Sequence, residues 1–130
     1  MPLQRLRGRK ICDFVLRKGK VWKGKTLSVR FVLGAPRHPA VDPEAQALYV
    51  GCFASSKLDK SAVRRNRMRR RCREALRISL NKHGDLPAAQ LLLCPKTASL
   101  DAPFEDILGD VSTFLSTLAQ CPKPPKNHVS

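Results

Sequence analysis

A chain of 130 residues is long enough to bury the core of one domain and short for two. An apolar share of 42% excludes wholesale disorder. Twenty-five Lys and Arg against ten Asp and Glu leave a net charge of +15, which excludes basic partners and favours a polyanion. Nucleic acid is the first candidate and an anionic membrane surface the second, because each neutralised phosphate releases condensed counterions. No segment approaches the ~20 consecutive apolar residues of a membrane helix. The basic residues 1–10 lack the apolar run of a secretory signal, so the expected location is the cytoplasm.

In chain order, Arg5, Arg7, Arg9 and Lys10 open a basic segment, and Ile11, Phe14, Val15 and Leu16 form a short helical face that Gly19 stops. Residues 19–25, Gly-Lys-Val-Trp-Lys-Gly-Lys, read as a cationic loop. Leu27, Val29, Phe31 and Leu33 alternate with Thr26, Ser28 and Arg30, which predicts a half-buried strand. A Pro-rich loop over 34–44 follows, then a second strand over 48–55 in which Leu48, Val50, Cys52 and Ala54 alternate with Tyr49, Gly51, Phe53 and Ser55.

The period then changes to that of a long helix over 61–83, with Gly84 placed to cap its C-terminus. Residues 91–94, between Pro87 and Pro95, predict a short buried strand. Asp101 is positioned to cap a last helix whose first turn holds Pro103, Glu105 and Asp106. Phe104, Ile107, Leu108, Val111, Leu115 and Leu118 share one stripe of it. Residues 1–120 are thus expected to form one domain, and 121–130 a flexible Pro-rich tail. Helix, strand, strand, helix, strand, helix is the order of an α+β domain with helices on a small mixed sheet.

The helix over 61–83 carries the chemistry. Met68, Cys72, Ala75, Leu76 and Ser79 follow the spacing of a single packing face. Asn66, Arg70, Arg73 and Arg77 lie opposite, with Arg67 and Glu74 beside them, while Arg64, Arg65, Arg69 and Arg71 flank the apolar stripe. Eight arginines between 64 and 77 repel one another, with Glu74 as local relief. A polyanion relieves such repulsion, and the planar guanidinium fork binds two phosphate oxygens or stacks on a base.

Residues 65–70, Arg-Asn-Arg-Met-Arg-Arg, resemble the Arg-Asn-Arg-x-Lys/Arg-Arg signature of the bacterial ribonuclease P protein family. Val50-Gly51 and Ser56-Lys57 around the preceding strand, Ala62-Val63 before the signature and Arg73-Glu74 after it resemble the same family. Arg5-Leu6 and Val15 with Gly19 resemble its amino-terminal helix, so the similarity extends over about residues 5–118.

The resemblance implies a mixed sheet flanked by three helices, with a left-handed βαβ crossover as in the ribosomal S5 domain 2-like fold. The handedness rule alone predicts the right-handed form. It also implies contact between the catalytic RNA of ribonuclease P and Arg65, Asn66, Arg67, Arg69, Arg70 and Arg73, with Lys57, Lys60 and Arg64 extending that surface. A cleft between the first helix and the sheet would hold the 5′ leader of precursor tRNA. The RNA would perform the hydrolysis with magnesium, the protein supplying no catalytic group and binding no cofactor of its own.

At the cleft positions where the family carries aromatic side chains, this sequence has Cys12 and Leu16, and Arg30 stands on the first strand. Tyr49 and Phe53, or charge together with Arg30 stacking, are the expected replacements.

Other chemistry finds little support. Five cysteines at 12, 52, 72, 94 and 121 contain no CxxC pair and read as small buried hydrophobes of a reducing compartment. His38, His83 and His128 are scattered and form neither triad nor metal cluster, so no metal site, membrane anchor or obligate protein partner is expected. Trp22 has two readings, stacking on RNA or packing on its own domain. The competing functions are a structural RNA-binding protein of ribosomal type, a DNA-binding module and a self-sufficient nuclease. A DNA module would favour a less charged helix with base-reading amides, and a nuclease needs acidic metal ligands that the sequence does not assemble.

Overall fold

The computed structural model describes residues 3–6, 8–37, 41, 47–84 and 86–121. Its elements are β1 (Leu3–Arg5), α1 (Arg9–Lys18), β2 (Lys20–Lys23), β3 (Leu27–Leu33), β4 (Leu48–Cys52), α2 (Ala62–Leu80), β5 (Ala89–Pro95), a 3₁₀ turn (Thr97–Leu100) and α3 (Phe104–Ala119). The strands form one mixed sheet in the order β1-β4-β5-β3-β2. β4 runs parallel to both β1 and β5, whereas β3 pairs antiparallel with β5 and β2. The α+β class expected from the sequence is therefore the class observed, with α2 connecting the neighbouring parallel strands β4 and β5.

Each face of the sheet is covered. Leu27, Val29 and Phe31 of β3, Leu48 and Val50 of β4 and Ala89, Leu91 and Leu93 of β5 point to one side. There they meet Cys72, Ala75 and Leu76 of α2 and Ile107, Val111, Phe114, Leu115 and Leu118 of α3. The alternate residues Tyr49 and Leu92 pack on the other side with Leu6, Ala47 and Val15 of α1. β5 is central and largely buried on both faces, as a strand covered on both sides requires.

Several sequence expectations need correction. Residues 20–23 are an edge strand rather than a loop; Trp22 anchors it edge-on to Phe114, with ring centroids 5.7 Å apart, so this tryptophan packs on its own domain. Arg5 lies in strand β1 and Leu6 is buried beyond it, before the first helix begins at Arg9. β4 stops at Cys52, although the Phe53 amide still donates to the Leu93 carbonyl at 2.8 Å.

The helix boundaries also differ. α2 ends at Leu80, and the amides of Asn81, Lys82 and His83 donate to carbonyls three residues back. Those bonds satisfy the end of the helix without a left-handed residue, so Gly84 is not its cap. Asp101 closes the 3₁₀ turn, while α3 starts after Pro103 without a side-chain cap, its first turn carrying Glu105 and Asp106. Of the expected tail, only Cys121 is among the described residues.

A candidate nucleic-acid interface on the arginine helix

α2 is anchored at its start by Ser61, whose hydroxyl accepts the Arg64 amide at 3.3 Å, while Asp59 accepts the Ser61 amide at 2.8 Å. Met68, Cys72, Ala75, Leu76 and Ser79 are its buried residues, the five of the anticipated packing face. At ~1.5–3 kcal/mol per large apolar side chain, that stripe holds the helix down despite its charge. Glu74 and Arg77 form an exposed ion pair one turn apart, with Arg77 Nε 3.0 Å from Glu74 Oε1.

The arginines divide into two groups. Arg65, Arg69 and Arg71 are half-buried and bound to main-chain carbonyls. Arg65 donates to the carbonyls of Asp59 and Lys60 at 2.8 and 3.1 Å. Arg69 donates to the Ala54 carbonyl at 3.0 Å and to Asn66 Oδ1 at 2.6 Å. Arg71 donates to the carbonyls of Ser99, Leu100 and Ala102 at 2.7, 3.0 and 2.6 Å, fastening the 3₁₀ turn to the helix. Arg64, Arg67, Arg70, Arg73 and Arg77 are exposed. Arg64 lies 3.7 Å from the Asp59 carboxylate, and Arg67 Nε donates to the Leu100 carbonyl at 3.2 Å.

Val63, Asn66, Arg69, Arg70 and Arg73 line an open groove of about 460 Å³ along the outer side of α2. Val63 is 76% exposed, so this groove has an apolar wall between guanidinium groups. Arg73 also borders a second groove of about 290 Å³, shared with Leu3, Gln4, Arg5 and Val50 at the β1 edge. Burial pushes the nearby Cys52 thiol up, and the positive charges of Arg73 and Arg69 counter part of that shift. Lys57 and Lys60 are exposed in the turn that leads into the helix. Sequence reasoning missed Val63 and Arg5 as groove residues. Their signals were an apolar residue off the packing face and a basic residue in a segment too short to show a period.

On the opposite face of the sheet, α1 lies over Tyr49 and Leu92. Tyr49 is only 5% exposed, so its ring is core and offers no stacking surface. Phe53 is 46% exposed just past β4, and Phe14 on α1 is 43% exposed. Cys12 and Leu16 are half-buried against this second core, and burial raises the Cys12 thiol pKa. Arg30 is half-buried and donates to the Leu16 carbonyl at 2.8 Å. Among the described residues no three His, Cys, Asp or Glu side chains cluster as a metal site, and all five cysteines are free thiols. No helix among them is long and apolar enough to cross a membrane.

α2 packs an apolar stripe on a mixed sheet and exposes Arg64, Arg67, Arg70, Arg73 and Arg77, which defines an α+β domain with a predominantly cationic helix face. A family model described as Ribonuclease P matches residues 2–119. The ribonuclease P protein component of Synechococcus sp. (strain RCC307) is 32% identical over 114 residues, spanning 85% of this chain and 88% of that protein. That of Thermus aquaticus is 38% identical over 96 residues, 74% of this chain and 49% of the other. The chain belongs to the ribonuclease P protein component family.

Solved structures carry the same fold. The ribonuclease P protein from Thermotoga maritima superposes with a TM-score of 0.67 at 19% identity, covering 88% of this chain and 96% of that one. The Staphylococcus aureus protein gives 0.64 at 18% identity, covering 89% and 94%.

Proposed function

We propose that this chain is the protein subunit of ribonuclease P, binding the catalytic RNA through the outer side of α2 and assisting removal of the 5′ leader from precursor tRNA. The observation that carries this reading is the groove in which Val63, Asn66, Arg70 and Arg73 face solvent while the other side of the same helix is core. Guanidinium forks there suit phosphate pairs, and Val63 suits the edge of a base or sugar. Lys57, Lys60 and Arg64 extend the cationic surface at the helix start. The nine-residue set expected from the sequence is refined in role: Arg70 and Arg73 grip, whereas Arg65 and Arg69 hold the backbone that presents them.

The leader would run between α1 and the sheet, where Arg30, Cys12 and Leu16 supply charge and apolar surface and Phe53 the exposed ring. The chemistry belongs to the RNA, with magnesium as its metal. The chain's part is to lower repulsion between two RNAs and to hold the leader, as a single cytoplasmic RNA-binding domain over residues 1–120 with no cofactor of its own.

Competition binding tests this reading. The full chain should prefer ribonuclease P RNA over a ribosomal RNA fragment of equal length at moderate salt. Equal affinity for both would favour a structural RNA-binding protein of ribosomal type.

A further inference from the structure

Arg69 belongs to the arginine signature, yet its guanidinium is already committed. One nitrogen donates to the carbonyl of Ala54, a buried residue just beyond β4, at 3.0 Å. The other donates to Asn66 Oδ1 at 2.6 Å, one turn back along α2. The carboxamide of Asn66 lines the groove beside Val63, Arg70 and Arg73. Arg69 takes one of the two lone pairs of the amide oxygen and so fixes which end of the carboxamide faces it, leaving the NH₂, which only donates, as the other end.

We infer that Arg69 is a positioning residue that locks the Asn66 amide with its NH₂ toward the RNA, so that Asn66 recognises a hydrogen-bond acceptor. This rests on the proposed binding of RNA along α2. It assigns Asn66 a polarity that an unrestrained amide, free to turn over, would lack. The acceptor is an oxygen or ring nitrogen of RNA, contributed by a phosphate, a sugar or a base. The strut also couples the end of β4 to the groove, since one guanidinium holds both Ala54 and Asn66.

A double-mutant cycle on binding of the full-length chain to ribonuclease P RNA tests the inference. Arg69→Ala should weaken binding by roughly three- to tenfold, the range of one hydrogen bond. In an Asn66→Ala background the same change should cost under twofold. Arg69→Ala should lower the salt slope by well under the roughly one unit lost in Arg70→Ala, a phosphate contact.

Asn66→Asp keeps the acceptor that Arg69 uses and removes the donor, so it should bind at least as poorly as Asn66→Ala. Arg69→Lys retains the charge without the fork and keeps the cycle readable if Arg69→Ala fails to melt like the parent. Inorganic polyphosphate, which presents phosphate oxygens alone, locates the acceptor. An Asn66→Ala defect on both ligands assigns a phosphate, and a defect on RNA only assigns a base or sugar.

Equal cost of the Arg69 change in both backgrounds, a full unit of slope lost in Arg69→Ala, or wild-type binding by Asn66→Asp would overturn the inference. Unchanged affinity in both Arg70→Ala and Arg73→Ala would instead sink the reading of α2 as the RNA-binding helix.

Discussion

The Arg30 guanidinium donates to the Leu16 carbonyl across 2.8 Å, joining the third strand to the last turn of α1. That carbonyl is one of the four that a helix C-terminus leaves without an intrahelical donor. Arg30 therefore helps to fasten α1 over the sheet. Arg30→Met should cost about 1.5 kcal/mol in urea unfolding, the low end for a hydrogen bond to a charged group, because Arg30 is only half-buried. It should also reduce the preference for leader-bearing precursor over mature tRNA, measured by paired titrations, while leaving affinity for the catalytic RNA within about twofold.

Gly19 guards the same junction. A Cβ there would sit 2.5 Å from the Val15 carbonyl oxygen and 3.1 Å from the Phe31 amide nitrogen, both backbone atoms that cannot yield cheaply. Gly19→Ala should destabilise the fold by about 1–3 kcal/mol, as an overpacked contact does. Thermal melting and amide exchange at the end of α1 check this, and a wild-type melting temperature would show that the helix end relaxes freely.

Arg70 and Arg71 are adjacent and should give opposite signatures. Arg71 supplies three bonds to the 97–102 segment, so Arg71→Ala should cost about 2–3 kcal/mol of stability. Arg70 is exposed in the groove, so Arg70→Ala should shift stability by under about 0.5 kcal/mol and flatten the salt dependence of RNA binding. Urea unfolding and salt titration of the two variants side by side make the comparison.

Cys72 gives a pH dependence. Burial, with help from Cys52, pushes its thiol up to about 12 from an ordinary 9.0. The unfolded chain loses this proton above pH 9 while the folded chain keeps it, so stability falls as pH rises through that window. The slope contributed by this thiol approaches about 1.4 kcal/mol per pH unit. Urea unfolding in reductant between pH 8 and pH 10.5 should show a steeper loss for the wild type than for Cys72→Ala.

Much of this was legible in the sequence where one face of an element settles its fate. The five residues that α2 buries were readable from their spacing, because the helix rests on a single apolar surface. β1 and β2 were not readable, since strands of three and four residues with Lys or Arg at their ends show no period. The separation of Arg69 and Arg71 from Arg70 and Arg73 was equally hidden. It depends on carbonyls of Ala54 and Ser99, 15 and 28 residues distant, that only the folded chain brings to the helix. Tyr49 was misassigned for a related reason: the polar side of β4 is covered by α1, and strand alternation alone does not reveal a second layer.

Reconstitution shows whether this chain assists an RNA-catalysed cleavage. Precursor tRNA is incubated at low and at higher magnesium with the protein alone, the ribonuclease P RNA alone and both together, and release of the 5′ leader is followed. No cleavage by the protein alone is expected, with stimulation in the mixture that is largest at low magnesium, where RNA–RNA repulsion is least screened. Cleavage by the protein alone, or a mixture no faster than the RNA at any magnesium concentration despite tight binding, would contradict that role.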